Sequence, residues 1–272
     1  MITRHIPAQL ICTLLAVGAA GLSAAEQKGL GYKDTPMVPG TPWHVHDGDR
    51  PQPRIVAPGA QFSQAANAPA DANVLFDGTD LSKWQHGDGK PAKWKIENGY
   101  MEVVPKSGIL RTKDKFRDFQ LHIEFATPVK VEGNGQGRGN NGLNIFGRYE
   151  IQILDSYENQ TYPDGQCSAI YGQTPPLVNA SRKPGEWQSY DVIFEGPRWD
   201  AEGKNIKKAY VTVLHNGVVV HHRREIIGGT NHRSIGDYKN KREEGPIELY
   251  EHGNPVRFRN IWLRPLGEYD KP

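Results

Sequence analysis

The chain has 272 residues with nearly balanced charges, 33 lysines and arginines against 31 aspartates and glutamates, a formal net charge of +2 at pH 7 with histidine neutral. So small a net charge gives no electrostatic basis for binding nucleic acid or an anionic membrane surface, and neither partner is expected. The 20 prolines and 30 glycines, without long amphipathic patterns, favour many short strands and turns over helices.

Residues 1–25 have the features of a secretory signal peptide. Arg4 gives a weakly positive start, an apolar stretch follows at residues 10–22, and small residues precede a cleavage site after Ala25. The apolar stretch is short for a membrane-spanning helix, and no second one follows in the sequence. We therefore expect a secreted or periplasmic protein without membrane insertion, and its oligomeric state is open.

Residues 26–72 are predicted to form an extended, proline-rich arm followed by a flexible linker. Six prolines fall between Pro36 and Pro58, and small residues dominate from 61 to 72. The motif His44-Val45-His46-Asp47 offers side chains of the kinds that ligate metals, but no second such cluster lies nearby in the sequence. The preferred prediction is a strap over residues 28–58 that packs Trp43 on the folded domain.

A β pattern begins at Asn73, and residues 73–268 are predicted to form one domain. Trp84 and Trp94 are expected to anchor its core. Turn residues bound four predicted strands, which are 93–97, 100–104, 108–112 and 119–126. Residues 127–140, rich in glycine and asparagine from Gly133 onward, are predicted to be a loop that shapes the mouth of a site.

Residues 142–146 and 149–155 are predicted to form a hairpin at the centre of the domain. Its register follows from the loop length. A three-residue loop, Phe146–Arg148, keeps apolar side chains on one face and polar side chains on the other, whereas a two-residue turn mixes them. Gly147 then takes the left-handed position of the loop.

This register places Leu143 opposite Ile151 on the apolar face, and Asn144 opposite Glu150 on the polar face, where Gln152 follows. A sheet face that carries amide, carboxylate and amide side by side is a candidate floor for a sugar-binding site. The alternative is an ordinary solvated outer face, because alternation alone predicts exposed polar residues.

Cys167 is the one cysteine after the predicted signal peptide, which excludes an internal disulfide. Two roles are open, a thiol nucleophile and a small buried residue. No Cys-His motif accompanies Cys167, so the buried role is preferred.

Later strands are predicted at 187–195, 209–214, 218–223, 247–252 and 256–263. Asn216-Gly217 is a strong turn signal, and residues 228–245 are predicted to be a long polar loop. The last two strands are expected to pair with each other, and Glu248, Tyr250 and His252 share one face of the first. About a dozen short strands without helices predict an all-β, two-sheet sandwich.

Six segments carry a family resemblance: LFDGTDLSKW (75–84), NNGLNIFGRYEIQILDSY (140–157), DGQCSAIYGQTPP (164–176), PGEWQSYDVIF (184–194), VTVLHNGVVVH (211–221) and GPIELYEHGNPVRFRNIWLRPL (245–266). Together they resemble the 3-keto-disaccharide hydrolase domain family over about residues 73–266. The resemblance implies a concanavalin-like jelly-roll sandwich. It also implies an exported, carbohydrate-active protein that cleaves glycosides already oxidised at C3 of the sugar.

The resemblance also implies a site. The motif positions Glu150, Gln152, Tyr171 and His252 become site candidates, with Glu150 and His252 the candidates for catalysis. The chemistry and position of the residues themselves add Asn141, Asn144, Asp155 and Arg257 as further candidates for substrate binding.

The chemistry that the resemblance implies begins at C2, whose proton a C3 ketone acidifies. A base removes this proton, the C1 substituent leaves by β-elimination, and water adds back. The base should have a near-neutral pKa, which burial can give Glu150 and which His252 already has. Arg257 or Tyr171 can stabilise the enolate. No cofactor is required, although a divalent cation held by Glu150, Gln152 or His252 can take the enolate role.

Two alternatives stay open. Glu150-x-Gln152-x-x-Asp155 is similar to the paired-carboxylate strand of laminarinase-type retaining glucanases, although residues 150 and 155 fall on opposite faces unless a bulge intervenes. A lectin-like binding module would use aromatic and amide side chains, namely Trp84, Tyr171, Asn141 and Asn144. An enzyme, unlike a lectin, is expected to bring Glu150 and His252 together in one cavity.

Overall fold

The computed structural model describes residues 30–60, 63–268 and 270, so the predicted signal peptide lies outside the described residues. Within them, the only helical segments are two 3₁₀ turns, Gly135–Gly137 and Pro163–Gly165. The first ten strands are β1 Arg54–Ile55, β2 Asn73–Phe76, β3 Trp84–His86, β4 Lys95–Glu97, β5 Tyr100–Glu102, β6 Leu110–Thr112, β7 Phe119–Ala126, β8 Asn141–Ile145, β9 Tyr149–Ile153 and β10 Val178–Asn179. The later strands are β11 Gln188–Glu195, β12 Arg198–Trp199, β13 Asn205–Lys207, β14 Tyr210–His215, β15 Val218–Glu225, β16 Thr230–Asn231, β17 Ser234–Ile235, β18 Ile247–Leu249 and β19 Arg257–Pro265.

In the part of the chain that the structure describes, no helix is long and apolar enough to cross a membrane.

Two antiparallel sheets build the domain. The large sheet has the order β15-β14-β11-β7-β19-β5-β4, with β2 also paired to β19, and the small sheet has the order β3-β6-β18-β8-β9. Apolar side chains from both sheets, among them Phe125, Phe258, Leu143 and Leu249, form one hydrophobic core. Removing this core from water is the main driving force for folding. The predicted all-β, two-sheet jelly-roll sandwich is confirmed.

Three residues that were expected to be buried lie in the core. Trp84 and Trp94 are almost fully buried, and the Trp84 indole donates a hydrogen bond to the Leu75 carbonyl at 2.8 Å. The Cys167 sulfur lies 3.0 Å from the Tyr190 hydroxyl, and burial raises the pKa of the thiol. Because only the thiolate is a good nucleophile, this environment suits the predicted structural role of Cys167.

The β8–β9 hairpin has the predicted register, with Leu143 opposite Ile151 and Asn144 opposite Glu150. The left-handed conformation extends over two loop residues, Phe146 and Gly147, with φ of 65° and 63°. However, both faces of the hairpin are buried, since every residue in β8 and β9 is buried. The alternative of a solvated outer face is therefore wrong.

The strands β18 and β19 do not pair with each other, so this prediction is wrong. β18 lies between β6 and β8 in the small sheet, whereas β19 lies between β7 and β5 in the large sheet. Alternation is the same in either sheet, so it cannot assign a strand to one of them. β18 also ends at Leu249, which leaves Tyr250 and His252 in the connection that crosses between the sheets.

The arm, residues 30–60, packs against the domain in two different ways. Residues 31–47 fold back on themselves through antiparallel bridges at both ends, and only the later part runs extended, where β1 pairs in parallel with β10. Trp43 stays partly exposed, while Val45 and His46 are fully buried. His46 and Val45 therefore anchor the arm, and the prediction that Trp43 does so was wrong.

The predicted flexible linker is held on the outer face of the large sheet at residues 63–66. The Ser63 hydroxyl donates to the Asp191 carboxylate at 2.6 Å, and the Ala65 N–H donates to the Glu124 carboxylate at 2.5 Å. These contacts cover buried polar side chains that alternate with the core residues of β7.

Candidate functional site

A row of polar side chains crosses all five strands of the small sheet. Strand pairing aligns Gln85, Arg111, Glu248, Asn144 and Glu150 on successive strands from β3 to β9. The neighbouring residues on these strands point the other way, into the core. The face opposite the core thus carries an ordered polar surface, and Glu150 stands at its β9 end.

A cavity of about 360 Å³ opens beside Glu150. We call it the site cavity. It is lined by Asn140, Glu150, Gln152, Tyr171, Thr230, Asn231, His232, Tyr250 and His252. Four predicted site residues, Glu150, Gln152, Tyr171 and His252, are thus brought together from β9, from the loop after it and from the connection after β18.

Glu150 is a buried carboxyl group without a hydrogen-bond donor. Its side chain is 7% exposed, and no hydrogen bond or ion pair to its carboxylate occurs among the described residues. Burial raises the pKa of Glu150 to about 8. The space it occupies exists because residue 142 is glycine, since a Cβ there would lie 2.4 Å from the Glu150 Oε1 atom.

The orientation of the Gln152 amide is set by a chain of hydrogen bonds. The Gln136 amide donates to the Gly165 carbonyl at 2.9 Å, so its oxygen faces Gln152 and accepts from the Gln152 NH₂ group at 2.9 Å. The Gln152 side-chain oxygen therefore accepts no hydrogen bond, and it is buried without a partner in the described structure. A ligand that satisfies this acceptor must offer a donor, such as a sugar hydroxyl.

Asn144 adds a second amide to this polar floor without lining the cavity itself. Its NH₂ group donates to the Tyr250 hydroxyl, and its oxygen is buried without a partner among the described residues. Unpaired buried acceptors are costly in a folded protein, which makes these two amide oxygens candidates for contact with a ligand.

Hydroxyl and imidazole groups face Glu150 across the cavity. The Tyr171 hydroxyl lies 3.0 Å from the Tyr162 hydroxyl and 3.3 Å from His232 Nδ1, and burial raises the pKa of Tyr171 to about 12. His252 lies at the exposed rim, where partial loss of hydration lowers the pKa of its imidazole. The cavity therefore combines one carboxyl group with neutral proton donors and acceptors.

Three predicted binding residues lie elsewhere. Asn141 falls on the core side of β8 and donates to the Tyr250 carbonyl, because it shares its alternation with Leu143. Asp155 pairs with Arg138 at 2.6 Å and does not line the cavity. Arg257 belongs to the large sheet, where its guanidinium stacks 5.4–5.5 Å from the centres of two aromatic rings.

Five residues of the cavity were not predicted, namely Asn140, Thr230, Asn231, His232 and Tyr250. Alternation had already placed Tyr250 with Glu248, so this residue could have been included. Thr230, Asn231 and His232 come from the polar loop at 228–245, whose position over β9 depends on the Thr230 hydroxyl, which accepts from the Glu150 N–H at 2.9 Å. No local sequence signal reports such a contact.

A larger cavity of about 690 Å³ lies between the arm and residues 134–138. Its amide side chains bond to the protein itself. The Gln166 amide donates to Gln52, and the Asn179 amide donates to the Ser156 carbonyl. Because these groups are already used, this cavity has less means of recognising a polar ligand than the site cavity.

Comparison with known proteins assigns the domain. Residues 71–264 match the family model of the 3-keto-alpha-glucoside-1,2-lyase-like domain. A Bacteroides thetaiotaomicron protein named 3-keto-disaccharide hydrolase is 24% identical over 250 residues, which cover 73% of this chain and 80% of that protein. Two solved structures of candidate glycosyl hydrolases from Parabacteroides distasonis are also similar. One is 44% identical with a TM-score of 0.73, covering 79% of this chain and 93% of that one. The other, 23% identical with a TM-score of 0.54 over 72% and 99%, shares the fold.

Proposed function

The chain belongs to the 3-keto-alpha-glucoside-1,2-lyase-like domain family, and we propose that this carbohydrate-active, hydrolase-like protein cleaves glycosides that carry a ketone at C3. One observation supports the proposal most directly. Glu150 is a buried, unpaired carboxyl group in a cavity whose other polar groups are hydroxyls, amides and imidazoles. A group in this environment is suited to transfer a proton to or from a substrate, and it is not part of a structural ion pair.

The proposed reaction starts with removal of the C2 proton by Glu150. The electron pair of the C2–H bond forms a C2–C3 double bond and the π pair of the C3 carbonyl moves to its oxygen, giving an enolate. The enolate then re-forms the ketone and expels the C1 substituent as an alkoxide, which takes up a proton to become the alcohol, and a C1–C2 double bond remains. Water adds its hydroxyl to C1 and a proton returns to C2, so the net change is hydrolysis.

The other cavity residues match the remaining requirements. Tyr171, Tyr250 and His232 are neutral donors that can hydrogen-bond the developing enolate oxygen. His252, at the rim, is the candidate acid for the leaving group, and it remains the second candidate for the base. A divalent cation stays an alternative for the enolate role. Among the described residues, no group of three or more His, Cys, Asp and Glu side chains is arranged to hold a metal.

The paired-carboxylate alternative finds less support. A retaining glycosidase needs two carboxyl groups about 5–5.5 Å apart. Within the described structure, Glu150 is the only carboxyl group among the residues that line the site cavity. Glu248 is two strands away, roughly 10 Å, and it is paired with Arg111 at 3.3 Å.

The binding-module alternative loses two of its four residues. Trp84 is buried in the core and Asn141 bonds to the backbone, so neither can meet a sugar. Glu150 and His252 line one cavity, which is the arrangement expected of an enzyme. A binding module would have no need to bury an unpaired carboxyl group.

The test compares a 3-keto disaccharide with its unoxidised parent. We expect release of monosaccharide from the ketone alone, and exchange of deuterium at C2 with solvent during turnover. Release from the parent at an equal rate would refute the requirement for the ketone. Full retention of C2 deuterium during turnover would refute the elimination and favour direct displacement at C1. Loss of activity with a chelator, and recovery with a divalent cation, would assign the enolate role to a metal.

Export is also part of the proposal, because residues 1–25 have the composition of a signal peptide. We expect the mature protein in the periplasmic or secreted fraction, beginning at Glu26. Recovery of the full-length protein from the cytoplasm alone would contradict export.

A further inference from the structure

The arm reaches the back of the site cavity, although it lies outside the matched family domain, which begins at residue 71. The His46 ring is fully buried, with its centre 4.7 Å from that of Tyr171 and 5.5 Å from that of His232. Both of these residues line the cavity. A side chain of the arm therefore packs directly behind two walls of the site.

His46 is held in one orientation by Asp164. One carboxylate oxygen of Asp164 accepts from the His46 backbone N–H at 2.8 Å, and the other lies 3.1 Å from the ring Nδ1. The backbone of His46 is left-handed, with φ of 59°, a conformation in which asparagine, aspartate and histidine are the enriched residues after glycine. The same arm loop requires glycine at residue 31, where a Cβ would come within 1.9 Å of the His46 carbonyl oxygen.

The other ring nitrogen of His46 makes no hydrogen bond. Nε2 is buried and has no partner among the described residues. A carboxylate on one imidazole nitrogen fixes the tautomer and the orientation of the ring, as it does for histidines at functional sites, and here it leaves the second nitrogen unpaired. A histidine with only a packing role has no need of this costly arrangement.

The arm also holds the turn that carries His232. The Tyr32 ring meets His232 edge to face at 5.6 Å, and the Arg233 guanidinium lies 4.2 Å above the centre of the Tyr32 ring. Asp34 pairs with Arg233 at 2.5 Å. Arm residues that do not line the cavity therefore contact His232 and its neighbour.

We propose that the arm completes the site and that His46 is a positioning residue, which fixes Tyr171 and His232 against the bound sugar. His46 does not line the cavity, so it acts through these two residues. The part of this inference that concerns turnover rests on the proposed function. The part that concerns the placement of the His232 turn does not.

The test uses the full chain with His46→Asn. Asparagine tolerates the left-handed backbone and keeps an N–H near Asp164, but it removes the rest of the ring. The matched control is His44→Asn in the same arm, because His44 contacts the Thr35 carbonyl rather than the site. Asp164→Asn, which preserves the volume of the side chain, is a second variant if His46→Asn does not fold.

Two measurements are made on each variant. Hydrogen exchange of residues 228–236 should become faster in His46→Asn and Asp164→Asn, and stay as in wild type in His44→Asn. On a 3-keto disaccharide, His46→Asn should lower kcat by about 10–100-fold with a smaller change in KM, as for other residues that orient a functional group. Added imidazole should restore part of this loss, which it would not do for a general loss of stability.

The outcomes separate the two proposals. An active wild type, with His46→Asn matching His44→Asn in both measurements, overturns the role of His46 and leaves the proposed function standing. A wild type inactive on the ketone overturns the proposed function. In that case unchanged exchange at 228–236 in His46→Asn also overturns the positioning role, and faster exchange supports it.

Discussion

Replacing Glu150 with glutamine should stabilise the protein while removing its activity. The pKa of Glu150 is about 8 in the folded protein, against 4.5 for an ordinary glutamate. At pH 7 the folded protein therefore holds a proton that the unfolded chain releases. Each pH unit above 4.5 lowers the free energy of unfolding of wild type by about 1.4 kcal/mol, which amounts to roughly 3 kcal/mol at pH 7. Glutamine carries no charge and avoids this cost.

The gain should depend on pH in a defined way. Below pH 4.5 both states of wild type are protonated, so the variant has no advantage. Between pH 4.5 and 8 wild type loses stability while the variant does not, and above pH 8 the difference is constant. Since the new amide also lacks a partner, we expect a gain of about 1–3 kcal/mol at pH 7, which raises Tm by several degrees.

The assay is thermal unfolding of both proteins at pH 4, 6 and 8, together with turnover of a 3-keto disaccharide. Turnover by Glu150→Gln should fall by about 10²–10⁴. Glu124→Gln is the control of opposite sign, because burial would raise the pKa of that carboxyl group, but His122, Asn260 and Arg259 hold it at about 2. It should lower Tm at pH 7. Two results would refute the inference that the Glu150 carboxyl group is unpaired. One is a Tm of Glu150→Gln below that of wild type at pH 8, and the other is a difference in Tm that does not change with pH.

Three further predictions concern the catalytic base, the space for Glu150 and the thiol of Cys167. The kcat/KM of wild type should rise with pH around a midpoint near 8 if Glu150 is the base, whereas a midpoint below 6.5 would assign the base to His252, whose pKa is lowered. Gly142→Ala should displace the Glu150 carboxyl group and cut turnover at least tenfold at nearly unchanged Tm, with Gly137→Ala, which meets open space, as the control. Cys167→Ser should keep turnover within a few-fold, and complete loss in a folded variant would restore the thiol as a nucleophile.

Features set by neighbouring residues could be predicted from the sequence. The strand Phe119–Ala126 was predicted with both of its ends, because its apolar alternation is unbroken. The register of the β8–β9 hairpin followed from alternation and loop length together. Glu150 and Gln152 were thereby placed on one face, which led to the cavity.

Features set by distant contacts could not be predicted. Arg257 was assigned to the site because its charge can stabilise an enolate, but β19 lies in the other sheet. His46 was noticed only as part of a motif, because its partner Asp164 is 118 residues away. Asn141 is a different case, since its odd spacing from Asn144 already placed it on the apolar face of the strand.

The contacts of the arm impose an order on folding. β1 pairs with β10, and His46 binds Asp164, across more than a hundred residues of chain. During synthesis from the N-terminus, the arm is made well before the segments on which it docks. The arm can therefore add to the domain only after β10 and the loop that carries Asp164 have been made. The site is finished only when the chain has been made through His252, the last residue in the sequence that lines the cavity.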